Sequence, residues 1–384
     1  MDFELSEEQQ LLKQTCERYF ADHYQFESRR RYAHEPRGWS LIAWKQYADL
    51  GLLGVPFAED YGGFGGGPVE TMIVMEQIGR VLLLEPYLAT VVLGGGFIRL
   101  GGSDAQRSEL LPKIAAGELS LSFAHAERQA RYDLSDVATT ARRDGGAYVV
   151  DGSKTLVLHG DTAEKFVVSA RLSGAQTDRD GLALFLIDAT APGVSVRGYP
   201  TVDGLRAAEV TLSNVRAEAA SALGEPGAAF PLIERVADQA IAALCAEAVG
   251  AMAAMHETTV EYMKTRRQFG VTIGSFQVLQ HRAADMLIAI EQARSMTMLA
   301  TMMAAEDDAR ERRQAISAAK VQIGRSGRFV GQQAIQIHGG IGMTMETKVG
   351  HYFKRVTVID TQFGDADYHL DLVAAGGGLI AGSN

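Results

Sequence analysis

Thr265–Met286 reads TRRQFGVTIGSFQVLQHRAADM, and further along Gln336–Thr344 reads QIHGGIGMT. The first stretch follows a long helical run and closes it with an arginine pair, an aromatic residue and a glycine. Arg266 or Arg267 there offers a planar fork of N–H donors to phosphate oxygens, which a lysine would meet only as a point charge. Gly270 and Gly274 break the helix, and Phe276, Leu279 and Ala283 restart an apolar stripe at helical spacing. In the second stretch, Gly339 and Gly340 remove side chains where a backbone could approach a flat or phosphorylated ligand. Each stretch alone has a plainer explanation: an exposed arginine pair is usually solvated, and Gly-Gly after a helix is usually its C-cap.

Taken in order, R-x-x-F-G, F-Q-x-x-Q-H-x-x-A-D-M and Q-I-H-G-G-x-G resemble the signature of the acyl-CoA dehydrogenases, flavoenzymes that desaturate acyl-CoA thioesters. The resemblance runs nearly end to end. It implies FAD as cofactor, with Arg266, Phe269 and Gln277 in contact with it, and with Gln336, Ile337, His338, Gly339 and Gly340 holding its adenosine and pyrophosphate side. In the family these groups reach the FAD of the neighbouring subunit, so the clamp works in trans.

The 384 residues suffice for two or three domains with a large core. The two cysteines, Cys16 and Cys245, lie far apart in helical patterns, so we expect no disulfide framework and a reducing compartment, the cytoplasm. No basic, apolar signal segment opens the chain, and no apolar run reads as long enough to span a bilayer. A net charge of −10 argues against general nucleic-acid binding but leaves room for a local basic patch facing a CoA phosphate. The nine histidines form no ligand-spaced cluster, so no metal site is expected; His351 and His369 read as surface or packing residues.

Ser6 followed by Gln9 reads as a capping box opening the first helix, and a second helix is expected over Ser40–Leu50. Gly51–Gly67 is a glycine-dense loop that lacks the lysine of a P-loop and resembles the family's structural inter-helix loop. Helices resume over Val69–Gly101. From Leu119 to about Arg216 the period changes to short β-rich runs: AYVVDG, KTLVLHG, KFVVSAR, LALFLIDA, VSVRGYP and AAEVTLSNV. Strands without intervening helices imply an antiparallel barrel or sandwich. Beyond LGEPG the pattern over Ala228–Phe269, Met286–Ala318 and Ala319–Ile337 reads as three or four long helices, whose methionines suit a core. The expected class is therefore α+β and multi-domain: a helical domain over 1–118, a middle β domain over 119–222, and a C-terminal four-helix bundle carrying the clamp over 223–384.

Desaturating a thioester needs a base for the α-proton, a polariser for the carbonyl and a hydride acceptor. In the family the base is usually a glutamate in a Y-E-G-T motif, and the matching stretch here is Gln362-Phe363-Gly364-Asp365. Phe363 cannot take a proton, although its backbone N–H could still donate to a carbonyl. Asp365 stands in the threonine position. A second family location for the base falls on Ala240. Glu247 lies two helical turns along the same face, roughly 10 Å further at 1.5 Å per residue. A carboxyl buried in the run IAALCAEAVGAM is a candidate base, or the partner of an arginine between bundle helices. Glu247 and Asp365 are thus the candidate catalytic residues.

The flavin loop, T-E-P-G-A-G-S-D in the family, reads Ala126-Glu127-Arg128-Gln129-Ala130-Arg131-Tyr132-Asp133 here, and W-I-T-N reads Leu156-Val157-Leu158-His159. Bulk and positive charge replace the glycines, and Leu158 supplies no hydroxyl. Arg128 and Arg131 could instead bind an anionic acyl terminus or a CoA phosphate, or be solvated. Positions that serve the chain's own flavin depart from the family, while those that serve a neighbour's flavin are kept.

The resemblance is nearest to the small (beta) subunit of pimeloyl-CoA dehydrogenases and of the dehydrogenases that shorten steroid side chains. It implies a heterotetramer, a dimer of dimers with a larger acyl-CoA dehydrogenase subunit, that passes electrons to an electron-transfer flavoprotein and accepts bulky or dicarboxylic acyl groups. The alternatives are an independent homotetramer using Glu247 or Asp365, a non-catalytic assembly protein on the same fold and, more distantly, an oxidase.

Overall fold

The computed structural model of the chain describes residues 5–377. Six helices come first: α1 (Glu7–His23), α2 (Phe26–Tyr32), α3 (Leu41–Asp49), α4 (Pro68–Val81), α5 (Gly95–Gly101) and α6 (Asp104–Ala115). A wider π-helical run over Leu88–Gly94 leads into α5. Then follow β1 (Leu121–Ala124), β2 (Thr140–Asp144), β3 (Ala147–Leu158), β4 (Lys165–Arg171), β5 (Leu182–Asp188), β6 (Val194–Pro200), β7 (Arg206–Glu218) and β8 (Ala222–Gly227). The chain ends in α7 (Phe230–Thr265), a short hairpin of β9 (Arg267–Gln268) and β10 (Val271–Thr272), α8 (Gln277–Met303), α9 (Ala309–His338), α10 (Lys348–Thr361) and α11 (Ala366–Ala375).

Local chemistry sets many of these boundaries. At α1 the Ser6 hydroxyl accepts from the Gln9 amide while the Gln9 side chain accepts from the Ser6 amide, the expected capping box. Ser40 caps α3 in the same sense. The break between α8 and α9 falls at residues 304–308 rather than between Ala318 and Ala319. There Asp308 accepts from the amides of Arg310 and Glu311, which fixes a new helix start that apolar spacing does not reveal.

The chain forms two compact units. Of the described residues, one comprises 5–31, 68–83 and 241–377, which are helical apart from the β9–β10 hairpin and the connecting turns. In this unit α9 is central, packing on α8, α10 and α11. Helices α4 and α7 touch backbone to backbone at two glycines. A Cβ on Gly79 would lie 1.9 Å from the Glu247 carbonyl oxygen, and one on Gly250 would lie 1.9 Å from that of Glu76. Around this contact Arg80 pairs with Glu257 at 2.7 Å and Arg294 with Glu76 at 2.6 Å.

The other unit, Tyr32–Gly67 and Leu84–Ala240, holds an eight-stranded sheet in the order β6-β7-β3-β2-β4-β5-β8, with β1 beside β4. Most pairings are antiparallel, as expected; β1 and β2 each run parallel to β4. AYVVDG and KTLVLHG join in the single long strand β3, whose register against β7 shifts between Val150 and Gly152 and between Lys154 and Val157. Leu156, in the second irregularity, is left-handed at φ 50° and exposed. One cation staples a long loop of this unit: the Arg171 guanidinium donates to the carbonyls of Ser135, Val137, Ser173, Gln176, Asp178 and Asp180 at 2.8–3.3 Å.

Contrary to the expectation from sequence, α7 is long and apolar enough to cross a membrane. Its apolar stretch is almost wholly buried by protein, which makes it a core helix. Both cysteines are free and buried, and burial pushes each thiol up to about 12.

Candidate functional site

The two signature stretches meet at the ends of α7 and α9. The ring of His338, in the last turn of α9, stacks on Tyr262 in the last turn of α7 at 4.4 Å and 19°. Its Nδ1 lies 2.9 Å from the Ala334 carbonyl, and burial lowers its basicity, so the ring is neutral packing that joins the two motifs. Tyr262 escaped the sequence reading because an aromatic residue inside a helical pattern carries no signal of its own.

Beyond Tyr262 the chain turns through the β9–β10 hairpin, where Thr272 pairs with Arg267 and Val271 with Gln268. Phe269 at its tip is left-handed at φ 53° and 92% exposed. The two arginines divide their work. Arg267 donates to the Gly270 carbonyl at 2.9 Å and braces the turn. Arg266 is exposed, and its guanidinium has no partner among the described residues. Gln277, the first residue of α8, and Gln336, in the last turn of α9, are likewise exposed with free side chains. Ile337 is buried, so only its backbone could face a ligand. Gly339 (φ 63°) and Gly340 are exposed, and a Cβ on either would meet nothing within 4 Å. An uncommitted guanidinium, two free amides and an open glycine turn fit the phosphate and polar edges of FAD.

The stretch Gln362–Asp365, by contrast, has all four backbone carbonyls engaged, although the Gln362 side-chain oxygen is buried without a donor and the Phe363 N–H has no acceptor among the described residues. The buried Lys320 ammonium donates to the carbonyls of Ile359, Asp360, Gln362 and Gly364 at 2.7–3.0 Å. Burial nonetheless lowers its pKa to about 8. Phe363 is held left-handed at φ 57°. Its carbonyl lies 3.0 Å from His369 Nε2, and His369 Nδ1 lies 3.0 Å from the Ser317 hydroxyl. Burial and Lys320 push His369 down to about 3, so the ring is neutral, donating from Nε2 to the carbonyl and accepting the serine proton at Nδ1. His369 is therefore a packing residue of the interior, not of the surface.

Both candidate bases are engaged. Glu247 receives a side-on pair of hydrogen bonds from Arg355, Nε to Oε1 at 2.5 Å and Nη2 to Oε2 at 2.8 Å, with both side chains buried. This is the arginine partner weighed above as the alternative to a base, and abstracting a proton would cost Glu247 that pair. Asp365 is the N-cap of α11, accepting from the Tyr368 amide at 2.9 Å.

In the sheet unit, Glu127 folds inward. It accepts from the amides of Ala138 and Thr139 and from Lys154 at 2.7 Å, and Lys154 also reaches the Ser169 hydroxyl. Burial pushes the Glu127 carboxyl up, but Lys154 and bonds from Gln129 and Thr139 outweigh it and hold it at about 2. Arg128 points out and shares Glu209 with Arg197, at 3.2 and 3.3 Å. Arg131 is exposed and left-handed at φ 48°. The loop Ala126–Asp133 has no glycine, serine or threonine, its one hydroxyl being that of Tyr132, and Leu156–His159 has no hydroxyl or glycine at all, so this region does not fit a flavin ring as the clamp fits FAD.

A helical unit ending in an open phosphate clamp and a separate β-rich unit define the architecture of a flavin-dependent acyl-CoA oxidoreductase. Models for the N-terminal, middle and C-terminal domains of acyl-CoA dehydrogenases match residues 6–118, 122–215 and 227–378. The acyl-CoA dehydrogenase FadE12 of Mycobacterium tuberculosis is 31% identical over 89% of this chain and 88% of its own. Among solved structures, a variant of the Tcur3481-Tcur3483 steroid ACAD superposes with a TM-score of 0.87 at 30% identity, covering 97% of this chain and 99% of that one. The ChsE4-ChsE5 complex from Mycobacterium tuberculosis does so with a TM-score of 0.87 at 26% identity, covering 98% of each chain. The chain belongs to the acyl-CoA dehydrogenase family, whose members are FAD-dependent oxidoreductases.

Proposed function

We propose that this chain is the small subunit of a heteromeric acyl-CoA dehydrogenase, two small and two large subunits in a dimer of dimers, and that it lends its clamp to FAD seated mainly in the partner. One observation carries the reading. The residues matched to trans contacts (Arg266, Gln277, Gln336, Gly339 and Gly340) are open, whereas Phe363 stands where the family has its base and both nearby carboxylates are committed to the fold. The similar Tcur3481-Tcur3483 steroid ACAD and ChsE4-ChsE5 complex, each of two differently named components, support it, and the former supports a bulky acyl group.

FAD, when bound, supplies the acceptor for the β-hydride as the acyl-CoA becomes a trans-2-enoyl-CoA. In this reading Arg266 orients and neutralises the pyrophosphate, the Gly339–Gly340 turn lets backbone donors approach it, and the large subunit removes the α-proton. Electrons leave to an electron-transfer flavoprotein in the cytoplasm.

The test is the visible spectrum of the chain purified alone and again after co-expression with a candidate large subunit, with flavin quantified per chain. The expected result is no flavin alone and flavin with turnover in the complex. A full complement and turnover by the isolated chain would restore the homotetramer, with Glu247 or Asp365 as base.

A further inference from the structure

Among the described residues the cations that are buried outright are satisfied, whereas two half-buried guanidiniums, Arg99 and Arg235, each hold a shielded Nε–H with no acceptor. Arg171 has six carbonyls, Lys320 has four, and Arg355 has both oxygens of Glu247. Arg312, at the start of α9, donates to the carbonyl of Glu306 at 2.8 Å. This is what the cost of desolvating an unpaired charge demands.

Of these two, Arg99 lies in the last turn of α5. Its Nη2 donates to the Gln239 side-chain oxygen at 2.9 Å, a neutral acceptor. Its Nε–H is shielded from water and has no acceptor. No carboxylate among the described residues lies within ion-pair distance of it. Burial, and then the positive charge of Arg235 close by, lower its hold on the proton. The fold enforces this placement rather than leaving room to relax. Gly96 and Gly101 bring α5 against the first turns of α7, where a Cβ on Gly96 would lie 3.5 Å from Val236 and one on Gly101 would lie 2.2 Å from Leu232.

We infer that Arg99 and Gln239 form a receptor for a carboxylate. The donors available are the Arg99 Nε–H, the remaining N–H of Nη2 beside it on the same edge of the guanidinium, and the Gln239 amide NH2, which has no acceptor among the described residues. All are donors, and two lie on the edge that takes a planar two-oxygen anion side-on. One uncompensated positive charge matches one carboxylate. That carboxylate comes either from a free dicarboxylic acid or from the far end of an ω-carboxyacyl chain. Only the second source rests on the acyl-CoA reading above.

The experiment uses the full chain, in complex with its large subunit where the two co-purify. Thermal midpoints and calorimetric titrations are recorded with adipate against adipamide, and with adipoyl-CoA against hexanoyl-CoA. Each is repeated in Arg99→Leu, Arg99→Lys and Gln239→Leu. Adipate, and not adipamide, should raise the midpoint of the wild type, and Arg99→Leu should abolish the rise. If the acyl terminus is the source, adipoyl-CoA should bind on the order of tenfold or more tighter than hexanoyl-CoA, the worth of one charge-assisted bond, and lose that preference in Arg99→Leu. Preference for adipate without preference for adipoyl-CoA assigns the receptor to a free acid. Because its charge lacks a partner, Arg99→Leu without ligand should melt no lower than the wild type, so misfolding does not mask the result. The assignment is overturned if carboxylate and neutral probes are indistinguishable in the wild type, or if the preference survives in Arg99→Leu.

Discussion

The Gln362–Asp365 stretch and the Arg266–Gln277 clamp lie in the same helical unit and are finished in opposite ways. In the first, Lys320, His369 and the start of α11 engage every backbone carbonyl internally and Asp365 caps the helix, although the Phe363 N–H keeps no acceptor among the described residues. In the second, a guanidinium and an amide stand exposed without partners beside an aromatic ring that is almost wholly in water. Satisfied polar groups hold a backbone in place, whereas unsatisfied exposed ones cost the fold nothing and remain available to a ligand or a neighbour.

The contrast breaks most visibly at Glu247 and Arg355. Arg355→Leu leaves a buried carboxylate alone and should cost about 3–5 kcal/mol in chemical denaturation. The double variant Glu247→Leu/Arg355→Leu should recover most of that loss. If Glu247→Gln instead leaves stability intact and abolishes turnover of the complex, Glu247 is a base after all.

Lys320→Met should cost about 2–3 kcal/mol or more, because four carbonyls lose their donor. The pH dependence sharpens this. The folded-state pKa of about 8 lies below the ordinary lysine value of 10.5, so over that interval the unfolded chain binds more protons. The penalty of burying the charge is fully present below about 8 and is relieved as pH rises toward 10.5. The wild type should gain stability over that interval relative to Lys320→Met, as melting points across the range would reveal.

The smallest effect on stability belongs to Arg266→Ala, within about 0.5 kcal/mol of the wild type, as for an exposed side chain with no partner. Flavin retention by the assembled dehydrogenase should nonetheless fall roughly tenfold or more, with Arg266→Lys restoring it only in part. Unchanged retention and activity would leave an assembly protein as the better reading.

Much of this was legible locally. The Ser6 and Ser40 caps, the switch from helical to alternating periodicity and the clamp motifs each depend on residues close together in sequence. What stayed hidden depends on distance or on backbone geometry. Arg355 lies 108 residues from Glu247, so nothing near the carboxylate announces its partner. Lys320 sits in an ordinary helical pattern and becomes a staple only when α10 ends against it. β1, buried along its whole length, and β2, mostly charged, lack the alternation that marks a strand. The choice between Arg266 and Arg267 is made by the hairpin, whose register alone turns Arg267 back on Gly270.

The paired glycines Gly79 and Gly250 restrict which sequences this unit can explore. Because Gly79 rests against the carbonyl of Glu247, even a methyl group there would have to push away the backbone that carries the Arg355 anchor. Position 79 is thereby tied to a guanidinium it never touches. A substitution at 79 should therefore show non-additive effects with substitutions at 247 and 355.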